Sequence, residues 1–313
     1  MNLPRAKKSF GQNFLVDEGV VGRIVRALDP RGDETIIEIG PGRGALTEQL
    51  LERAGRLVAI ELDRNLVPIL RERYEDRENF TLVEADALEV DYCSIVAPDA
   101  SARVVANLPY NISTAILQRL LEQRRCLTEM FLMLQREVVE RITAAPASSE
   151  RGYLSVFVQA YSEAEALFDV APGAFRPVPK VWSTVVRLRA RPPLSAGVVD
   201  EKLLWRVVGT GFSQRRKTIL NNLRAAPEDL RVRVEAAGGA HALLEAAHVE
   251  PQLNGARHLV DVLPARPRGA HKTFLDLALV EGNVIRHWNH GTRPTGSPGG
   301  YAVTDAARSA ATM

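Results

Sequence analysis

Cysteine, lysine and long apolar runs are all scarce in this chain, and each shortage removes a class of protein. Only Cys93 and Cys126 occur among 313 residues. Two cysteines build neither a disulfide framework nor a zinc cluster, so the expectation is a pair of reduced, packed thiols in a cytoplasmic protein. No uninterrupted apolar stretch approaches the ~20 residues that cross a bilayer. The amino-terminal MNLPRAKKSFGQNF has basic residues with no apolar core behind them, which is not the pattern of a secretory signal. What is present is globular in composition: 46% hydrophobic and 25% charged residues, with a mean hydropathy of -0.10. A mostly disordered or collagen-like chain is excluded.

Net charge is only +2, so the whole-chain balance identifies no partner. Lysine stands at just six positions, leaving arginine as 34 of the 40 cations. A guanidinium fork binds phosphate through two parallel hydrogen bonds. Three stretches hold cations and no acids: residues 1–16 (Arg5, Lys7, Lys8), 171–191 (Arg176, Lys180, Arg187, Arg189, Arg191) and 212–224 (Arg215, Arg216, Lys217, Arg224). Three in one modest chain point to a polyanion.

Residues 17–28 predict an amphipathic helix capped by Asp17, because Val20, Val21, Ile24, Val25 and Leu28 share one face. Apolar runs at 35–40, 57–61, 80–86, 103–107 and 130–134 are rich in Val, Ile and Leu, as buried parallel strands are. Helical patterns lie between them at 44–54 (with Gly55 as a stop), 64–76 and 113–124. This alternation predicts an α/β protein with a doubly wound sheet. A helix at 152–161 and strands in EALFDVA and WSTVVRLRA, around the loop PGAFRPVPK, predict an antiparallel addition at one sheet edge. Residues 192–199 read as a linker and 200–247 as purely helical. The expected division is a sheet domain over 1–191, a small all-α domain over 192–282 and a disordered tail over 283–313.

The segment E-I-G-P-G-R-G-A (38–45) follows the first of these strands and opens a helix. Gly40, Gly42 and Gly44 permit a tight turn and close approach by a ligand. Glu61 ends the next strand, where its carboxylate can accept from ribose hydroxyls at roughly 1.5–3 kcal/mol per charge-assisted bond. A nucleoside-containing cofactor at the topological switch point fits this arrangement. The loop does not choose between S-adenosylmethionine and NAD or FAD, because Gly40, Gly42 and Ala45 also satisfy G-x-G-x-x-G/A. Asp86, ending the third strand, is either an acceptor for an adenine amino group or a helix N-cap for 87–90.

Asn-Leu-Pro-Tyr (107–110) emerges from the fourth strand. Asn107 offers an amide oxygen. Pro109 stiffens the turn and lacks an N–H, so Leu108 presents its carbonyl in a fixed direction. Tyr110 adds a flat ring. Together they form a socket for a planar, amino-substituted heterocycle, whose stacking on an aromatic is worth ~1–3 kcal/mol. The six histidines lie outside these motifs and no metal-ligand cluster is visible, so a catalytic metal is not expected.

The order K-K-S-F-G-Q-N-F-L (7–15), E-I-G-P-G-R-G-A-L-T (38–47), E-L-D (61–63), E-A-D-A (84–87), N-L-P-Y-N-I-S (107–113) and F-R-P-V-P-K-V-W-S (175–183) resembles the ribosomal RNA adenine N6-dimethyltransferases over roughly residues 5–235. Within that family, F-S-Q-R-R-K-T-I-L-N-N-L (212–223) is similar to the small-subunit 16S rRNA enzymes of the KsgA type. The Erm enzymes, which act on 23S rRNA, are the nearest alternative. A non-catalytic assembly factor on the same fold would not need the intact socket.

The resemblance implies a Rossmann-like S-adenosylmethionine-dependent methyltransferase sheet with a small all-α C-terminal domain. It implies that Asn13 and Leu15, with Gln12 beside them, close over the cofactor. Gly40 then sits against the methionine part, Glu61 binds the ribose, and Asp86 with Ala87 contacts the adenine. Asn107 touches both cofactor and target amine, Leu108 and Tyr110 complete the socket, and Phe175 stacks on the other face of a flipped adenine. The implied reaction is in-line displacement: adenine N6 attacks the sulfonium methyl and S-adenosylhomocysteine leaves. No strong base is required, because the methylated ammonium is very acidic. The implied partner is 16S rRNA in the small ribosomal subunit, at two adjacent adenosines of a hairpin loop near its 3′ end. Lys8, Arg176, Lys180, Arg215, Arg216 and Lys217 are the expected phosphate contacts. A cytoplasmic monomer follows, with no membrane and no metal. Beyond residue 250 the chain departs from the family's short helix led by an acidic, proline-containing turn.

Overall fold

The computed structural model of the protein describes residues 4–146, 148–192, 200–214 and 216–246. A 3-10 turn (Lys8–Phe10) precedes a two-residue strand, β1 (Phe14–Leu15), and helix α1 (Glu18–Leu28). The Asp17 carboxylate accepts from the Val20 amide at 3.0 Å and so caps α1. The five apolar residues of its predicted face are all buried. Strands and helices then alternate: β2 (Thr35–Ile39), α2 (Thr47–Leu51), β3 (Arg56–Glu61), α3 (Val67–Tyr74), β4 (Phe80–Glu84), α4 (Tyr92–Val96), β5 (Ala102–Asn107), α5 (Ser113–Glu122) and β6 (Leu127–Gln135). Helices α6 (Arg136–Ile142) and α7 (Tyr153–Tyr161) lead into β7 (Ser162–Val170), the short β8 (Phe175–Arg176) and β9 (Ser183–Ala190).

The main sheet runs β4-β3-β2-β5-β6-β9-β7. Its first five strands are parallel, and β9 lies antiparallel to both β6 and β7. The chain winds outward from β2 through β3 to β4, then returns to lay β5 on the other side of β2. That reversal opens a crevice between the carboxyl ends of β2 and β5. Both faces of the central strands are buried. Val58, Val104 and Leu132 pack with α5 and α7 on one side, while Ile36, Leu57 and Val105 pack with α1, α2 and α3 on the other. Each such side chain contributes ~1.5–3 kcal/mol by leaving water.

Three expectations need correction. Helix α2 begins only at Thr47, because Gly40, Gly42 and Gly44 hold positive φ values (67°, 59° and 86°) and keep the chain out of the helical region. Gly55 is no left-handed stop: a Cβ there would lie 2.4 Å from the Gly32 carbonyl oxygen, so close chain approach is what demands glycine. The cysteines are not separate thiols. Cys93 and Cys126 are joined by a disulfide with Cα atoms 5.5 Å apart. Gln123, just past α5, brings them together. Its Oε1 accepts from the Tyr92 amide at 2.7 Å, and its Nε2 donates to the Val90 carbonyl at 2.9 Å.

The basic stretch 171–191 is largely neutralised by its strand partners. Arg187 pairs with Glu165, Arg189 with Glu129 at 2.9 Å, and Arg191 with Glu163 at 4.0 Å. Helix α8 (Glu201–Gly211) packs Leu204 and Val208 on Val156 of α7. Its Trp205 sits among Tyr153, Phe157 and Tyr161. Helices α9 (Ile219–Arg224), α10 (Glu228–Ala236) and α11 (Gly239–Ala246) close around Leu223, Leu230 and Leu244. The expected boundary at 192 adjoins undescribed residues, and residues 251–313 lie outside the described ones. No helix among the described residues is long and apolar enough to cross a membrane.

Candidate active site

A cavity of about 260 Å³ occupies the crevice at the carboxyl ends of β2, β3 and β5. Its floor is the glycine turn. Gly40 donates its amide to the Ile60 carbonyl at 2.9 Å, and a Cβ built on it would meet no atom within 4 Å. Its missing side chain therefore leaves room for a ligand. The other two glycines serve the protein itself. A Cβ on Gly42 would lie 3.0 Å from the Phe14 ring, and one on Gly44 would lie 2.4 Å from the Tyr74 hydroxyl.

Glu61 ends β3 at the cavity wall. Its Oε1 accepts from the amides of Leu62 (3.0 Å) and Asp63 (2.8 Å), and its Oε2 from the Gly42 amide (3.2 Å). A carboxylate has about four acceptor positions, so three amides orient it and leave capacity for a ribose hydroxyl. Burial pushes this carboxyl above its usual range, and the three amides restrain the rise. Asp86 lines the same cavity, and its Oδ1 accepts from the Leu88 amide at 2.9 Å. One oxygen of Asp86 closes a turn over 87–89, where no helix forms, and the residue lines the cavity. Ala87 lies beside it.

The amino-terminal segment roofs the cavity as a strap, with residues 9–14 along the lining. Its latch is Asp63, whose side chain is only 2% exposed. That carboxylate accepts from Lys7 Nζ at 2.5 Å, from Gln12 Nε2 at 2.9 Å and from the Asn65 amide at 2.9 Å. Burial alone would raise the Asp63 carboxyl, but the bonds from Lys7, Asn65 and Gln12 hold it below its usual value. Arg43 donates to the Pro4 carbonyl at 2.7 Å and lies over the Phe14 ring. At Gly11, φ is +61° and a Cβ would lie 2.5 Å from Asn111 Oδ1, so the strap turns there only with glycine.

Asn107 donates its Nδ2 to the Asn13 carbonyl at 2.9 Å, which ties β5 to the strap and leaves its Oδ1 as an acceptor. The Leu108 carbonyl takes no hydrogen bond from the described residues. Tyr110 is half-buried, and its hydroxyl shares a 2.7 Å hydrogen bond with Ser183 Oγ. Burial raises the phenol, so it stays protonated near neutrality.

The structure thus brings Asn13, Gly40, Glu61, Asp86, Ala87, Asn107, Leu108 and Tyr110 to one cavity. It does not bring Leu15 or Phe175 there. β1 pairs antiparallel with β8, Leu15 stands opposite Phe175, and both side chains are buried in the apolar layer under α1 and α2. As the chain stands, Phe175 presents no face to a base. Sequence reasoning missed the Lys7–Asp63–Gln12 latch and Ser183. The acid in E-L-D was the only signal of the latch, and nothing pointed to the serine.

The expected phosphate contacts divide similarly. Lys180, Arg216 and Lys217 are exposed and make no ion pair among the described residues. Arg176 is exposed, but its guanidinium caps the carbonyls of Gly173 and Phe175 at 3.0 and 2.8 Å. Lys7 is spent on Asp63. Arg215 and the side chain of Lys8 lie outside the described residues. No three His, Cys, Asp or Glu side chains among the described residues are grouped to hold a metal ion.

Comparison with known proteins yields one family. Residues 4–236 match the family described as ribosomal RNA adenine dimethylase. The ribosomal RNA small subunit methyltransferase A of Hahella chejuensis is 48% identical over 222 residues, covering 70% of this chain and 81% of the relative. That of Pseudomonas putida is 47% identical over 234 residues, covering 75% and 87%. Among solved structures, the 23S rRNA methyltransferase ErmE is 30% identical, with a TM-score of 0.58 over 78% of this chain and 94% of that one. A dimethyladenosine transferase from Plasmodium falciparum is 25% identical, with a TM-score of 0.61 over 80% and 88%.

Proposed function

The chain belongs to the ribosomal RNA adenine dimethylase family, and from that premise we propose that it dimethylates the N6 amino groups of two adjacent adenosines in 16S rRNA, in the hairpin loop near the 3′ end, during small-subunit biogenesis. The observation that carries this reading is the meeting in one cavity of an oriented Glu61 carboxylate with the Asn107–Leu108 acceptor pair beside Tyr110. The small-subunit relatives are 48% and 47% identical, against 30% for the 23S rRNA enzyme, which favours the small-subunit substrate.

The residues fit S-adenosylmethionine. The open space above Gly40 suits its methionine part, Glu61 its ribose and Asp86 its adenine. When bound, the cofactor supplies an electrophilic sulfonium methyl. The chain's own work is positioning and electrostatics. Adenine N6 is a poor nucleophile because its lone pair is delocalised into the ring. Asn107 Oδ1 and the Leu108 carbonyl accept its two N–H bonds, favouring a pyramidal nitrogen with its lone pair exposed. Tyr110 carries the ring by stacking, held in place by Ser183. The strap excludes water from the reacting atoms. We assign the enzyme to the cytoplasm as a monomer, with Lys180, Arg216 and Lys217 among its phosphate contacts.

The test is methylation of purified small subunits lacking these methyl groups, with nucleosides read by mass spectrometry. Dimethyladenosine should form with wild-type protein and not with Asn107→Ala. Methylation confined to large-subunit RNA, or none at all, would refute the proposal.

A further inference from the structure

We infer that Trp182 is a stacking platform for the nucleotide beside the adenosine held in the socket, an inference that rests on the rRNA reading above. The loop 177–182 joins β8 to β9. Among the described residues six large apolar side chains are exposed, and this loop holds three of them: Val178 (56%), Val181 (41%) and Trp182 (48%). Such clustering on a surface marks a contact site.

The indole is presented, not packed. It makes no ring contact and no hydrogen bond among the described residues. Its backbone, in contrast, is fixed on both sides. The Trp182 carbonyl accepts from the Arg136 amide at 3.0 Å. The next residue, Ser183, opens β9 opposite Gln135 and holds the Tyr110 hydroxyl. Trp182 therefore stands on the rim one residue from the group that fixes the socket's ring, ~3.8 Å further along the chain.

Charge and shape together select the occupant. Lys180 is exposed two residues away and makes no ion pair among the described residues. The acids near Arg136, Glu140 and Asp169, are engaged by its guanidinium. An exposed aromatic beside an unpaired cation is the pattern that binds unstacked bases of single-stranded RNA. Moving one adenosine into the socket breaks its stack and bares a face of its neighbour. The Trp182 ring takes that face. With two adjacent targets, the platform holds one adenosine while the other reacts.

The experiment uses the full chain and a hairpin of the rRNA 3′ end carrying 2-aminopurine at the adenosine next to the target. Wild type and Trp182→Phe should quench the probe on binding. Trp182→Ala should lose the quench and weaken RNA affinity roughly tenfold or more. S-adenosylhomocysteine affinity by calorimetry should be equal in all three, as should the salt dependence of RNA binding, since an indole neutralises no phosphate. Wild-type affinity and quenching in Trp182→Ala would overturn the platform and leave the methyltransferase reading standing. So would hairpin binding kept intact with loss confined to whole subunits, which would make the patch a protein contact. Failure of the wild-type protein to bind the hairpin or the subunit would overturn both readings.

Discussion

Replacing Lys7 by Met tests whether the strap is part of the cofactor site. The substitution keeps most of the apolar stem and removes the ammonium that stands 2.5 Å from Asp63 Oδ1. Asp63 keeps Gln12 Nε2 and the Asn65 amide, so the buried carboxylate is not orphaned. A hydrogen bond between charged groups is worth ~1.5–3 kcal/mol. The Lys7 side chain is 34% exposed, so competition from water brings the figure down to about 1–1.5 kcal/mol. If closure of the strap contributes to binding, S-adenosylhomocysteine affinity should fall about tenfold. Calorimetry measures that loss, and amide exchange across residues 9–16 reports the strap directly. In a double-mutant cycle with Asp63→Asn, the coupling should match the single loss. The Asp63 carboxyl is held below 3.8, so its contribution to the latch is fully present above about pH 4 and disappears as pH falls through the lowered value. Unchanged affinity together with unchanged exchange would show that Lys7 does nothing for the cofactor.

Other outcomes follow from the same geometry. Asn107→Ala should abolish most methyl transfer in single-turnover assays while RNA affinity stays near normal. Glu38 lies fully buried with Thr47 donating to it at 2.7 Å, and burial raises its carboxyl to about 7 despite that bond. A raised value means the stability it gives is complete below about pH 4.5 and lost as pH rises through 7. Relative to wild type, Glu38→Gln should therefore gain about 3 kcal/mol between pH 4.5 and 8 in urea titrations. Gly44→Ala should be the more damaging of two glycine changes to stability, by ~2 kcal/mol or more, through Tyr74 and its positive φ. Gly40→Ala should cost only ~1–2 kcal/mol of stability yet lose cofactor affinity. Replacing Arg216 and Lys217 by Gln should flatten the dependence of RNA affinity on salt by roughly one to two units, and an unchanged slope would remove the turn before α9 from the RNA interface.

Much of the site was legible because it is built from contiguous motifs at strand ends. The apolar runs located every parallel strand, and strand ends fixed Gly40, Glu61, Asp86 and Asn107 around one crevice. Contacts between distant segments left weaker traces. The β1–β8 pair involves two residues on each strand, too few for any periodicity, and it buries Phe175 where the family resemblance implied a stacking surface. The cysteines lie 33 positions apart, a spacing that carries no sign of the Gln123 clamp. Counting charges along 171–191 gave a basic patch. Folding sets those arginines against acids from 129, 163 and 165, and a linear count does not see across strands.

Those cross-strand ion pairs bear on aggregation. β7 ends the sheet, with β9 on one side and no strand on the other among the described residues. A bare strand edge is a template for a second copy of the chain. Here the edge strand carries Glu163, Glu165 and Asp169, and its register with β9 shifts between Ala166 and Phe168. Two such edges brought together would set acids against acids along an irregular backbone, and each arginine that could neutralise them is already held by its own sheet. Resistance to edge-to-edge pairing is thus built into the same residues that remove a basic patch from this face, and charge-neutral substitutions at Glu163 and Glu165 would leave an edge open to self-association.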